Sequence, residues 1–198
     1  MINLSVIVPF FNEEQFLEQS VDRLLKNDIY SAIYLIDNNS TDNSYEIAKN
    51  LSNKHVKIEL FRTDKNKGKG AALAFSKNLL NTSHIVIHDA DLEYFPEDII
   101  EMFELAKQNE KSLILGSRFI GVKKRENIYL RTFIANKVMS LFFSLVNFYK
   151  VSDVATCYKL MPVEFFKNVE LKENGFSIEI ELLSKFLKYN RSVLEVPI

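Results

Sequence analysis

Two aspartates stand one residue apart, at 89 and 91, directly after the apolar run 85–88. In extended backbone, residues two apart project to the same side, so Asp89 and Asp91 can face one cation, directly or through water. Carboxylate oxygens suit a hard ion, and Mg²⁺ is commonly held by one or two carboxylates together with substrate phosphates. An isolated Asp-X-Asp is common in loops and helix caps. Its company here gives it weight. Asn12 and Glu13, the stretch 37–42, the basic stretch 62–69 and Arg118 also follow strand-like runs. Two of these clusters are acidic, one is basic and one adds a single arginine. Mixed signs suit a ligand that carries both phosphates and a metal.

These residues need elements to position them. Residues 4–11 are apolar and β-branched up to a proline, and predict a buried strand. Asn12 is placed to cap the helix that follows, with Glu13 and Glu14 in its first turn, where the helix dipole favours acids. Phe16, Leu17, Val21, Leu24 and Leu25 then recur at helical spacing. Further strands are predicted at 32–36, 56–61, 85–88 and 112–115. Helices are predicted between them, one around Tyr45, Ile47, Ala48 and Leu51, one over 71–80, and one opened by Pro96. Strands alternating with helices make βαβ units, right-handed crossovers and a mostly parallel sheet, an α/β fold. Open sheets of this kind bind ligands outside the carboxyl ends of their strands, where the polar clusters fall.

Composition narrows the function. The 198 residues are 47% hydrophobic and 26% charged, as in an ordinary globular chain, and one domain over 1–198 is expected. A net charge of −1 gives no whole-molecule drive toward nucleic acid. One cysteine excludes an internal disulfide and any cysteine-built metal site. Neither G-x-G-x-x-G nor G-x-x-x-x-G-K-[ST] occurs, which removes the common dinucleotide and P-loop signatures. The N-terminus lacks the basic and apolar regions of a signal peptide, and no apolar stretch reaches membrane-spanning length, so a cytoplasmic location is expected.

In combination, the motifs resemble family 2 glycosyltransferases of the GT-A fold, in particular the dolichol- and undecaprenyl-phosphate sugar transferases. The matching stretches are VIVPFFNEE at 6–14, LIDNNSTDNS at 35–44, NKGKGAAL at 66–73, HDADLEYFPEDI at 88–99, LGSRF at 115–119, DVATCYKLM at 153–161 and FSIEIELLSKFLKYNRSVLEVPI at 176–198. The resemblance implies a role for each matching position. Pro9, Phe11 and Glu13 would line the nucleotide pocket, and Asp37 would help hold base and ribose. Lys69 would lie in a basic loop over the nucleotide. Asp89 and Asp91 would bind Mg²⁺ or Mn²⁺. Arg118 would meet phosphate, and Arg131 would lie near the acceptor phosphate. Thr156, Tyr158 and Lys159 would form an acceptor-side segment, with Glu179 and Glu181 toward the sugar.

The chain departs from the family pattern at Asn38 and Asn39, where relatives often carry Asp-Gly; Asn39 tolerates a left-handed turn as glycine does. It ends at Ile198, where relatives usually continue with a basic segment and some with transmembrane helices. Bland roles stand beside the functional ones. Lys65, Lys67 and Lys69 fit a solvated loop, His88 a packed strand residue and Cys157 a small core filler. Glu179 and Glu181 do not share a helix face, so at most one points into the site.

Charge suggests a mechanism. Breaking a sugar–phosphate bond leaves negative charge on a nucleoside diphosphate, which a cation at Asp89/Asp91 and Arg118 would stabilise. A lipid monophosphate acceptor is mostly deprotonated at neutral pH and needs positioning, by Arg131 or Lys159, rather than a base. A sugar hydroxyl acceptor needs a carboxylate base, and no later Glu-Asp pair stands out. The expected function is an inverting, metal-dependent transfer of a sugar from a UDP- or GDP-sugar to a polyprenyl phosphate. Transfer to a saccharide hydroxyl and a catalytically inactive nucleotide-binding partner are the alternatives. In the amphipathic helical segment at 128–150, nine of the twelve residues 138–149 are apolar or aromatic, flanked or preceded by Arg131, Lys137 and Lys150. Such a helix fits either a bilayer surface or a packed contact with a partner chain. Peripheral membrane association at the cytoplasmic face, and a homo-oligomer or membrane partner protein, are expected with it. Phe142 and Phe143 face about 100° apart on a helix, so both cannot enter one narrow core groove.

Overall fold

The computed structural model describes residues 2–121 and 130–198. In chain order the elements are β1 (Leu4–Phe10), α1 (Leu17–Leu25), β2 (Tyr30–Asp37), α2 (Ser44–Lys54), β3 (Ile58–Arg62), α3 (Lys69–Ser76) and β4 (His84–Ile87). They continue with α4 (Asp98–Gln108), β5 (Leu113–Ser117), α5 (Leu130–Asn147), β6 (Lys159–Pro162), α6 (Val163–Asn168), α7 (Ile178–Tyr189) and β7 (Val193–Pro197). Residues 128 and 129 of the predicted amphipathic segment lie outside the described residues.

The strands form one sheet in the order β3-β2-β1-β4-β6-β5-β7. Every pairing is parallel except those of β6, which runs against both β4 and β5. The mostly parallel α/β fold expected from the sequence is therefore present. Two of its strands, β6 and β7, are not among those the sequence pattern predicts: β6 has only four residues, too few to show a period. It also parts β4 from β5, which consecutive βαβ units would make neighbours.

Alternation along the central strands feeds two cores. Leu4, Val6, Val8 and Phe10 of β1 join Ile33 and Leu35 of β2 on the face covered by α1, α2 and α4. Ile7 of β1 and Ala32, Tyr34 and Ile36 of β2 face the layer of α3, α6 and α7, which Phe143 of α5 also joins. A strand buried on both faces reads as a continuous apolar run, which is why β1 and β2 are legible in sequence. Element ends are less so. Val56 is almost fully exposed, and β3 starts two residues later. The predicted helix over 71–80 begins at Lys69 and ends at Ser76.

The predicted cap at Asn12 is not formed. Asn12 has φ 57°, and its side-chain oxygen accepts the Thr41 N–H at 2.9 Å. α1 begins only at Leu17, so Glu13 and Glu14 precede the helix instead of sitting in its first turn. The side chain of Asn12 ties two loops together rather than closing a helix end.

Candidate active site

The sheet opens between β1 and β4. Their pairing stops at Ile7 and Ile87, whereas β1 and β2 continue to Phe10 and Asp37. Ile7 C=O accepts the His88 N–H at 3.0 Å, and Phe10 C=O accepts the Asn38 N–H at 2.8 Å. Odd residues of β1 thus aim their backbone groups toward β4, and even residues toward β2. Pro9 is odd and lies beyond the last β4 pair, so its missing N–H costs no ladder bond.

A pocket of about 270 Å³ lies at this split. Pro9, Phe11, Glu13, Lys69, Asp89 and Asp91 line it, joined by Asn38, Asn66 and Phe176. Six of the site residues expected from the sequence therefore share one cavity. Asp89 and Asp91 follow the end of β4, with Asp91 in a bend, so the loop rather than an extended strand turns both toward the pocket.

The loops around the pocket are laced together. The Asn12 N–H donates to Ser40 Oγ at 3.0 Å and the Glu13 N–H to Ser44 Oγ at 2.7 Å. Asn39 takes φ 65°, the left-handed turn anticipated for it. Asp37 is fully buried behind the pocket and does not line it. Its Oδ1 accepts the Ser40 N–H at 2.9 Å, and Arg62 Nε lies 3.0 Å from its Oδ2. That second contact is an ion pair by distance only, since no N–H is aimed at Oδ2. In front of Asp37, Asn38 Nδ2 donates to Asn66 Oδ1 at 2.7 Å.

The charges inside are uneven. Burial, then Asp91, raises the Glu13 carboxyl above its ordinary pKa. Burial, then Asp89, pushes Asp91 up to about 6, although its Oδ1 accepts the Glu93 N–H at 3.0 Å. Opposite them Lys69 Nζ lies 2.5 Å from Asp89 Oδ1 and 2.7 Å from Glu179 Oε1. Burial alone would lower the Lys69 pKa, but Glu179 and Asp89 outweigh it and hold the ammonium charged. Lys69 is thus not a solvated loop residue, unlike the exposed Lys65 and Lys67.

Close approach of the chain fixes this lysine. The Gly70 N–H donates to Asn174 C=O at 2.7 Å. A Cβ on Gly70 would stand 2.0 Å from the Glu173 carbonyl oxygen. One on Gly68, where φ is +95°, would stand 2.4 Å from that of Asn174. The glycines on either side of Lys69 therefore admit the 173–175 backbone over the start of α3. Glu181 accepts the Lys172 and Glu173 N–H groups and pairs with Lys185 at 2.8 Å, so of the two late glutamates only Glu179 enters the site.

The other expected residues lie elsewhere. Arg118 is outside the pocket lining, and its Nε and Nη2 grip the two oxygens of fully buried Asp153 at 2.7 and 2.9 Å. Arg131 is exposed in the first turn of α5. Thr156, Tyr158 and Lys159 are fully buried. Lys159 cannot screen an acceptor as the sequence suggested, because its Nζ is bound to Glu179 Oε2 at 2.7 Å and to the Thr156 carbonyl. His88 is a packed residue as anticipated, between Ser20 and Tyr158 at 3.0 Å each, and burial pushes it down to about 3. Cys157 is buried, and burial followed by Asp89 raises its thiol well above normal, so it is no nucleophile. Sequence reasoning gives no role to Phe176, an exposed ring at the pocket with Lys69 Nζ 6.0 Å from its centroid, nor to Asp153. An aromatic side chain among polar neighbours after a glycine is the available signal for Phe176.

Known proteins share this fold. A structure of glucosyl-3-phosphoglycerate synthase from Mycobacterium tuberculosis, a GT-A glycosyltransferase, superposes with a TM-score of 0.79 at 17% identity. The match covers 99% of this chain and 68% of that one, in a complex with Mn²⁺, UDP and phosphoglyceric acid. In sequence, the chain is 31% identical to a dolichol-phosphate mannosyltransferase of Pyrococcus furiosus over 99% of its own length, and spans 56% of that protein. It is 26% identical to a UDP-N-acetylglucosamine–dolichyl-phosphate N-acetylglucosaminyltransferase of Methanococcus voltae, covering 98% of this chain and 83% of the relative. The model for glycosyl transferase family 2 matches residues 5–170, a stretch holding every pocket residue named above except Phe176. With the fold and the sequence in agreement, the chain belongs to glycosyl transferase family 2 and has the GT-A fold.

Proposed function

We propose that this protein is an inverting glycosyltransferase that moves a sugar from a nucleoside diphosphate sugar to a polyprenyl phosphate, at the cytoplasmic face of a membrane and with Mg²⁺ or Mn²⁺. The observation that carries this assignment is the pocket at the β1–β4 split, where Asp89 and Asp91 face Lys69. The names of the two archaeal relatives support the acceptor, and the solved complexes with UDP and Mn²⁺ support the donor.

The donor set fits a hard divalent cation. Glu13, Asp89 and Asp91 bring three carboxylates to a cavity with one ammonium, and added positive charge would offset the burial and the Asp89 repulsion that raise Asp91. Among the described residues no three His, Cys, Asp or Glu side chains close into a cage. That agrees with an ion that completes its shell with phosphates and water. Asp89 and Asp91 would hold it, and when bound it would neutralise charge on the departing diphosphate. Phe11 and Phe176, both exposed at the pocket, would flank the base or the sugar. Arg118 would meet phosphate charge on the departing diphosphate, and Arg131 would lie near the acceptor phosphate. Arg118 arrives already paired to Asp153, so it offers oriented N–H donors more than net charge. A phosphate acceptor whose second pKa is about 6 attacks without a general base.

α5 supports a lipid acceptor. Ile134, Val138, Leu141, Phe142, Leu145 and Val146 are exposed along it, and Arg131, Lys137 and Lys150 lie on or beside it. Among the described residues no helix is long and apolar enough to cross a membrane. A bilayer surface rich in anionic headgroups is the proposed cover, the rings entering the acyl boundary and the cations meeting the headgroups.

The test is transfer of labelled sugar from UDP- and GDP-sugars to polyprenyl phosphate in anionic vesicles with Mn²⁺. Asp91→Asn is expected to lower turnover by about 100-fold or more while thermal unfolding stays near that of the unaltered protein. Near-normal turnover of Asp91→Asn would overturn the metal role. Transfer to free saccharides and none to the lipid phosphate would overturn the acceptor.

A further inference from the structure

Four buried or nearly buried charges alternate in sign away from the pocket. Asp89 Oδ1 lies 2.5 Å from Lys69 Nζ, which lies 2.7 Å from Glu179 Oε1, and Glu179 Oε2 lies 2.7 Å from Lys159 Nζ. Lys159 is fully buried and Glu179 nearly so, whereas Asp89 keeps partial exposure on the pocket side. The chain of charges is neutral as it stands, and Asp91 lies outside it. One of the two carboxylates offered to a cation is therefore already compensated by the protein's own ammonium.

We propose that Lys69 is a built-in competitor for the divalent cation at Asp89, and that Glu179 is the second seat that receives its ammonium when the ion binds. This rests on the assignment of Asp89 and Asp91 as the ion's ligands. An ammonium and a divalent ion on one carboxylate share its lone pairs and repel each other. Glu179 already touches the same Nζ, so Lys69 can leave Asp89 without entering solvent. Lys159 Nζ, itself held by the Thr156 and Val154 carbonyls, pins Glu179 Oε2 at 2.7 Å. The backbone of Lys69 need not move, because Asn174 fixes the first turn of α3. Only the end of the side chain shifts, from Asp89 toward Glu179. The device favours loading of ion and phosphates together over loading of the ion alone.

Direct Mn²⁺ binding without nucleotide, followed by the electron paramagnetic resonance of the free ion, tests this without any turnover. Lys69→Met is expected to bind Mn²⁺ about tenfold more tightly than the unaltered protein, since Asp89 loses its competitor. Glu179→Gln is expected to bind it several-fold more weakly, since the ammonium then has only Asp89. A merely structural role would weaken binding in both variants. Equal or weaker binding by Lys69→Met, with an unaltered melting curve, overturns the proposal. If Lys69→Met does not fold, Lys69→Gln, which keeps a donor toward Glu179, takes its place: tighter Mn²⁺ binding supports the competition, and equal or weaker binding overturns it. Asp91→Asn separates the two layers. If it leaves Mn²⁺ binding unchanged, the ion site itself is misassigned and the proposal falls with it. If it abolishes binding while Lys69→Met matches the unaltered protein, only the competition is refuted.

Discussion

Helices α5 and α7 contact the same face of the sheet, yet they turn opposite surfaces to it. α7 buries Ile178, Leu182, Leu183, Phe186 and Leu187, an apolar stripe at helical spacing, and leaves Lys188 and Tyr189 outside. α5 turns Ser140, Phe143 and Ser144 inward and leaves Leu141, Phe142, Leu145 and Val146 exposed. Its hold on the body is partly polar. Ser140 Oγ accepts the Val154 N–H and Ser144 Oγ the Val151 N–H, each at 3.0 Å. The neighbours Phe142 and Phe143 are 68% and 6% exposed, as their angular separation required. α7 is therefore ordered by the hydrophobic effect within the protein, whereas α5 leaves much of its apolar surface exposed. α7 also sets the buried carboxylate of Glu179 against Lys69 of the pocket, whereas α5 reaches the core through the ring of Phe143.

The largest expected effect lies on α7. Glu179→Ala leaves the ammonium of Lys159 buried without a carboxylate, and breaking a buried pair in this way costs about 3–5 kcal/mol. Urea unfolding measures it, and a loss below about 1 kcal/mol would show that the two carbonyls suffice for Lys159. Next comes the apolar stripe. Leu182→Ala is expected to cost about 2–5 kcal/mol, and Phe143→Ala, which removes a buried ring of α5 from the core, about 3–5 kcal/mol. If Phe143→Ala were neutral, α5 would not be docked as described, and the contrast between the helices would collapse.

Smaller effects probe the polar hold and the outer face of α5. Ser144→Ala removes the acceptor of the Val151 N–H and is expected to cost about 1–3 kcal/mol in thermal or urea unfolding. Replacing exposed Phe142, Leu145 and Phe148 together by serine is expected to change folding stability by no more than about 0.5 kcal/mol per site. The same triple variant should lose sedimentation with anionic vesicles. It should turn over a long polyprenyl phosphate more slowly and leave a short, water-soluble acceptor unaffected. Vesicle binding that survives the triple variant would assign the exposed face to a partner chain instead.

Patterns carried by neighbouring residues were sufficient for much of the fold. The apolar runs at 4–11 and 32–36 announced β1 and β2, the helical spacing of Leu17, Val21 and Leu24 announced α1, and the turn at Asn39 announced its left-handed backbone. Asp89 and Asp91 could be picked out because residues two apart are tied by covalent geometry and because they follow a strand. A ligand site at the carboxyl ends followed from the parallel topology alone.

The pairing of residues far apart in sequence depended on tertiary structure. Whether Lys69 was a solvated loop lysine or a buried ion-pair partner turned on Glu179, 110 positions later, and on the 173–175 backbone crossing over Gly68 and Gly70. Asp37 and Lys159 were drawn away from the pocket by Arg62 and Glu179, and Arg118 was clasped by Asp153. A charge signals its presence in sequence, but its partner is chosen by which strand ends and loops the sheet brings together. β6 enters the sheet reversed between β4 and β5, placing Lys159 near the α7 glutamate, and no local period encodes that insertion. Local patterns thus located the elements of the first half of the sheet and the acids after β4, while the order of the strands determined which charges remained free to meet a ligand.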